Sequence, residues 1–205
     1  MSEQIHQTFN IVLVGQRSVG KTSILLRFVD DEFIGNTNAT IGLDTRDVNV
    51  EIDDQFVTLH LWDTAGSELF SSMPSTTYRR ADGLMIVYDC TDLISFEKVQ
   101  EWLITVRKYA PEDVQIMLIG NKIDLITQRQ VSTIEAKNYA DKHGFDFIET
   151  SAKTSDNISS AFEILTRSIL QKSEERLIQP PPESPPVIVD EPNHSFGKPK
   201  KCCER

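Results

Sequence analysis

The stretch Gly15-Gln16-Arg17-Ser18-Val19-Gly20-Lys21-Thr22 is flanked by two patterns that leave it few ways to fold. Before it runs an apolar segment, Phe9-Asn10-Ile11-Val12-Leu13-Val14. After it comes Ser23-Ile24-Leu25-Leu26-Arg27-Phe28, a helical pattern. A buried strand, a tight loop and a helix start are therefore expected in immediate succession. The two glycines permit backbone conformations in which several N–H groups point inward, and the helix N-terminus behind them adds a partial positive charge. Phosphate oxygens suit such a cradle, here lined by Gly15, Ser18, Val19, Gly20 and Ser23. In a G-x-x-x-x-G-K-[ST] stretch so placed, Lys21 reaches the β/γ-phosphates and the Thr22 hydroxyl ligates Mg²⁺.

The remaining chain repeats the alternation. Strands are expected at 9–15, 46–52, 56–62, 83–90, 115–120 and 145–150, and helices near 21–29, 68–80, 95–109, 133–143 and 157–177. Leu84-Met85-Ile86-Val87-Tyr88 and Ile116-Met117-Leu118-Ile119 read as central parallel strands buried on both faces. Arg46 to Ile52 alternates polar and apolar, as an edge strand does, and Asp53-Asp54-Gln55 suggests an antiparallel hairpin with the next strand. Ser95 precedes an apolar helical face, and Ser132 with Glu135 forms a capping box. The expected architecture is α/β, a six-stranded, mostly parallel sheet with helices on both faces. Ligands of such sheets bind at the carboxyl ends of the strands.

Charge and cysteines narrow the function classes. The net charge is −10, and residues 180–205 hold four acids and four bases, so the excess lies before them. An acidic domain without a basic stripe argues against nucleic acid as a partner. Of the three cysteines, Cys90 lies in an apolar run and Cys202-Cys203 near the end, which makes no disulfide framework and points to a reducing, cytosolic setting. Met1 to Thr8 lacks a signal-peptide core, no apolar run approaches a membrane span, and Ser2 excludes N-myristoylation. The four histidines show no ligand spacing, and His60 reads as a surface-face strand residue. Seven of the nine prolines fall after Gln179, marking 179–205 as a disordered Pro-rich tail behind a domain over 8–178, with 1–7 a flexible N-terminus.

Four more signals follow the loop, three of them at expected strand ends. Asp63-Thr64-Ala65-Gly66 places a carboxylate to hold the metal through water and a glycine N–H for a γ-phosphate. Asn121-Lys122-Ile123-Asp124 supplies a carboxylate that accepts guanine N1–H and N2–H₂ together, a match adenine lacks. The backbone of Ser151-Ala152-Lys153 donates to the guanine carbonyl, and Thr40, in a polar loop, closes onto Mg²⁺ and the γ-phosphate. The base-reading segment argues against a P-loop kinase or ATPase.

With this ordered set, the chain resembles the Ras superfamily of small GTPases over about residues 8–178, the Rab branch most closely. Ile41-Gly42-Leu43-Asp44, Trp62-Asp63-Thr64-Ala65-Gly66, Tyr78-Arg79-Arg80-Ala81 and Ile86-Val87-Tyr88-Asp89-Cys90-Thr91 are similar to Rab signature segments. The 26 residues between Asp124 and Ser151 leave no room for the extra helix of the Rho branch. The resemblance implies a P-loop G domain and a monomeric GTP/GDP switch in vesicle trafficking. It also implies that Phe33 packs edge-on against the guanine. An exchange factor, a GTPase-activating protein, a dissociation inhibitor, the prenylation machinery and GTP-selected effectors are the implied partners. The ending Lys200-Lys201-Cys202-Cys203-Glu204-Arg205 looks like the Rab double-cysteine terminus, implying geranylgeranylation of both cysteines and attachment to the cytoplasmic face of intracellular membranes.

Three positions depart from the family pattern. Ser67 stands where a water-orienting Gln is usual, Arg17 where the loop residue is small, and Thr45 where Rab chains carry Phe. Ser67 is too short to orient the attacking water, and Arg17 should crowd the γ-phosphate side and the approach of an activating protein's arginine. Slow hydrolysis is expected; the alternative is a hydrolysis-deficient, mostly GTP-bound membrane scaffold. In the contrasting case Arg17 points to solvent and a partner supplies the glutamine.

Overall fold

Each central strand is apolar on both faces because each face meets a layer of helices. In the computed structural model, residues 7–35, 43–64 and 75–178 are described. The expected starts of the helix at 68–80, Thr40, Gly66, Ser67 and the tail with Cys202 and Cys203 lie outside them.

The strands β1 (Gln7–Val14), β2 (Leu43–Ile52), β3 (Gln55–Thr64), β4 (Gly83–Asp89), β5 (Gln115–Asn121) and β6 (Asp146–Glu149) form one six-stranded sheet in the order β2-β3-β1-β4-β5-β6. Only the β2–β3 pair is antiparallel. The helices are α1 (Lys21–Asp30), α2 (Ser75–Arg79), α3 (Leu93–Glu97), α4 (Val99–Tyr109), α5 (Thr133–His143) and α6 (Ile158–Ile178).

The alternation of side chains along a strand divides the core in two. Phe9, Ile11 and Leu13 of β1 with Met85 and Val87 of β4 face Ile24 and Leu25 of α1 and Phe162, Leu165 and Ile169 of α6. Val12 and Val14 with Leu84, Ile86 and Tyr88 face Trp102 and Leu103 of α4 and Ala136 and Ala140 of α5. Phe28 of α1 stacks on Phe162 of α6, ring centroids 3.8 Å apart and planes within 12°.

The expected hairpin forms, with Ile52 opposite Gln55 and the two-residue turn Asp53-Asp54 at φ 50° and 63°. Both values belong to the type I′ turn whose twist matches the flanking strands. On the exposed face of this pair His60 lies directly opposite Asp47, with Nδ1 against its carboxylate. Ser132 caps α5 as expected, accepting from the Glu135 N–H at 3.2 Å.

Three local expectations are corrected. Gln7, assigned to a flexible N-terminus, is in the sheet, because β3 extends far enough to pair it with Val57. The helix expected from Ser95 starts earlier: Asp92 is the cap, its side chain accepting from the Ile94 N–H at 3.0 Å. Ser95 is buried inside that turn, accepting from the Asp89 N–H at 2.9 Å and donating to Asp92 O at 2.7 Å. Its hydroxyl serves the preceding loop instead of a helix end. The expected single helix 95–109 is two, α3 and α4, meeting at Lys98, where the Glu101 N–H turns back to Lys98 O at 3.0 Å.

Among the described residues no helix is long and apolar enough to cross a membrane.

Candidate functional site

The sheet order places β1 between β3 and β4, so the chain leaves β1 at the point where successive strands run to opposite sides. Such a switch point opens a crevice at the carboxyl ends of parallel strands. The loop from Gly15 to Gly20 joins β1 to α1 at that point.

Two glycines shape it. Gly15 has φ +145°, and a Cβ there would lie 2.2 Å from Val87 O of β4. Gly20, the residue before α1, has φ +99°, and a Cβ there would lie 2.3 Å from Asn121 Nδ2. Between them Ser18 holds φ 66°, Val19 is buried and Arg17 is exposed.

Lys21 is 5% exposed, and its ammonium donates to Gly15 O at 2.9 Å and Gln16 O at 3.0 Å. Burial pushes its pKa down to about 8, with Asp63 pulling the other way. A buried ammonium held by neutral carbonyls is suited to a phosphate anion. At the next residue, Thr22 Oγ1 donates to Asp63 Oδ2 at 2.5 Å, and Asp63 is 2% exposed at the end of β3. A hydroxyl and a carboxylate so paired are hard oxygen donors beside the phosphate cradle, which fits Mg²⁺. Ser23 follows on α1, half-buried.

The second half of the site hangs from β5 and β6. Asn121 is 2% exposed and donates from Nδ2 to Val19 O at 2.9 Å. Its Oδ1 accepts from Thr150 Oγ1 and the Ala152 N–H, both at 3.3 Å. One buried amide thus ties the phosphate loop to the loop after β6. Lys122, at φ 69°, donates from Nζ to Ser18 O at 2.8 Å and pairs with Asp89 Oδ2 at 2.6 Å. Ser151 Oγ donates to Asp124 Oδ1 at 2.7 Å, and Lys153 Nζ lies 3.9 Å from Asp124 Oδ2. The Asp124 carboxylate is thus fixed by a hydrogen bond on one oxygen, with an ammonium near the other.

Residues distant in the sequence therefore lie together in two groups: Lys21, Thr22 and Asp63 in one, and Asn121, Lys122, Asp124, Ser151, Ala152 and Lys153 in the other. Phe33 does not join either core; it lies past the end of α1, 38% exposed. Two contributors were not singled out in the sequence. Asp89 was legible as an acid at the carboxyl end of an apolar strand, where this architecture places ligands. Arg27, on the last turn of α1, carried no signal beyond its helical position.

Residues 10–171 match the family model described as Ras family. The chain is 39% identical over 203 residues to Ras-related protein RABD2c of Arabidopsis thaliana, covering 99% of each. It is 46% identical over 173 residues to Ras-related protein Rab-2B of Dictyostelium discoideum, covering 84% of this chain and 86% of that one. GTP-binding protein YPTM1 of Zea mays is 43% identical over 169 residues, with 82% and 81% covered.

Proposed function

The chain belongs to the Rab-type small GTPases of the Ras family, and from that premise we propose that it is a guanine-nucleotide switch that binds GTP and GDP with Mg²⁺, hydrolyses GTP slowly and recruits effectors to membranes in vesicle trafficking. The observation that carries the reading is the joining of two half-sites through Asn121 and Lys122. A phosphate cradle bearing Lys21 and a base-reading carboxylate at Asp124 are held in one crevice.

Lys21 holds the β/γ-phosphates, and Thr22 and Asp63, with Thr40 and water, hold Mg²⁺. When bound, Mg²⁺ neutralises charge between the phosphates. Asp124 accepts the two guanine donors while Ser151 keeps its carboxylate turned toward them. The γ-phosphate contacts of Thr40 and Gly66 make the loops around them the switch, ordered with GTP and released with GDP. Membrane attachment runs through prenylated Cys202 and Cys203, and exchange factor, activating protein, dissociation inhibitor and prenylation machinery complete the cycle.

Ser67 and Arg17 favour a second reading, a hydrolysis-deficient scaffold that stays GTP-bound. Family members hydrolyse GTP at about 10⁻⁴ s⁻¹ unaided and gain roughly 10³–10⁵-fold from an arginine finger. Arg17 is exposed, so what would oppose that finger is the like charge of its guanidinium and not crowding of the γ-phosphate side. The test is the nucleotide carried by the purified protein and its fate with Mg²⁺, followed by single-turnover hydrolysis in Ser67→Gln and Arg17→Gly. GDP on the purified protein, with unchanged rates in both variants, supports the ordinary switch. Retained GTP and a faster variant support the scaffold. Adenine nucleotide, or none, refutes the base assignment.

A further inference from the structure

Arg27 lies where α1 ends, and its guanidinium serves three backbone carbonyls. Nε donates to Ala152 O at 2.9 Å, Nη2 to Lys153 O at 3.4 Å and Nη1 to Asp31 O at 2.7 Å. Nη1 also donates to Asp31 Oδ1 at 2.9 Å. The Arg27 side chain is 15% exposed and that of Asp31 is 85% exposed. The ion pair with Asp31 is therefore screened by water, whereas the bond from Nε to Ala152 O is partly buried. Asp31 closes α1 in a left-handed conformation, φ 53°, its N–H bonded to Leu26 O. One planar group thus joins the end of α1 to the loop after β6, elements 125 residues apart in the chain.

We propose that Arg27 is a positioning residue for nucleotide binding: it fastens the Ser151–Lys153 loop to α1, whose first turn carries Lys21 and Thr22. The inference rests on the guanine-nucleotide reading of the site. Through Arg27 the element that holds the phosphates also holds the element that faces the base, so neither half opens alone. Lysine would not substitute, because a single ammonium cannot span three carbonyls with the fixed fork of a guanidinium. Docking of α1 does not depend on this contact, since Phe28 remains stacked on Phe162 of α6. The consequence falls on both GTP and GDP, which share the base and the first phosphates.

The full chain is loaded with fluorescent GDP or GTP and chased with unlabelled nucleotide. Arg27→Lys is expected to release both about tenfold faster, the scale of losing hydrogen bonds from a charged donor. Single-turnover hydrolysis of bound GTP stays at the wild-type rate. Amide exchange across 151–154 quickens in the GDP-loaded variant. Asp31→Asn, which removes the exposed charge and keeps a residue type that tolerates the left-handed backbone, releases nucleotide like wild type. Unchanged release and unchanged exchange in Arg27→Lys would overturn the positioning role. A parallel fall in hydrolysis would overturn it too, because it signals a general loosening of the site. Wild-type protein that retains no guanine nucleotide overturns the base reading and the inference together, which separates that failure from the other two.

Discussion

Replacing Gly20 by alanine tests how the two half-sites are joined. Gly20 holds φ +99°, where an L side chain is strained by about 1–2 kcal/mol. The new Cβ would also fall 2.3 Å from Asn121 Nδ2, closer than any real carbon–nitrogen contact. Asn121 must withdraw, and its bond to Val19 O at 2.9 Å is lost in surroundings only 2% exposed. A buried amide or carbonyl left without a partner costs about 1–3 kcal/mol. The sum is about 2–5 kcal/mol of stability, with faster nucleotide release because the phosphate loop and the base loop come apart. Urea unfolding of nucleotide-stripped protein measures the first quantity without the stability that bound ligand adds. The decisive comparison is the same change made in an Asn121→Ala background. There only the backbone strain remains, so Gly20→Ala should cost about 1–2 kcal/mol. Equal losses in the two backgrounds would refute the clash as the cause.

Phe162→Ala removes the ring stacked on Phe28 and should cost about 3–5 kcal/mol, read as a lower unfolding midpoint in urea with an unchanged slope. Thr22→Ala takes away one of the paired oxygens beside Asp63; nucleotide affinity should drop by about tenfold or more in Mg²⁺ yet match wild type in EDTA, as titrations in the two buffers would reveal. The Cys90 thiol is pushed up to about 12, first by burial and then by the Glu149 carboxylate. Its raised folded pKa favours the neutral thiol, so its contribution to stability is complete below about 9 and is lost as pH rises toward 12. At pH near 8 the Cys90 peptide should therefore resist alkylation until denaturant is added, which mass spectrometry of the digest checks; rapid labelling of the folded protein would contradict it.

How far the sequence reaches follows from the range of the forces involved. Strand and helix patterns are local, and so are turn residues and capping boxes. The apolar runs at 84–88 and 116–119, the Asp53-Asp54 turn and the Ser132 cap were legible because each is specified by neighbours within a few residues. The phosphate loop was legible for the same reason: its glycines, lysine and threonine lie within eight consecutive positions. Where two local signals competed, the nearer-looking one misled. Ser95 resembled a helix cap, yet Asp92 took that place and the Ser95 hydroxyl turned inward to the Asp89 backbone.

Contacts between strand ends required the sheet itself. Sequence spacing implied that Thr22 and Asp63 share a metal, but only the parallel pairing of β1 with β3 brings their oxygens to 2.5 Å. Asp89 meets Lys122 because β4 and β5 are neighbours in register, Asp89 opposite Asn121. Arg27 reaches Ala152 because α1 and α6 cover the same face of the sheet, which holds the loop after β6 against the end of α1. The residue types that can do the chemistry are written in short motifs. Their partners, and hence their orientation and charge balance, arise only when packing brings distant strand ends together, since hydrogen bonds act over about 3 Å and carry no trace in sequence spacing.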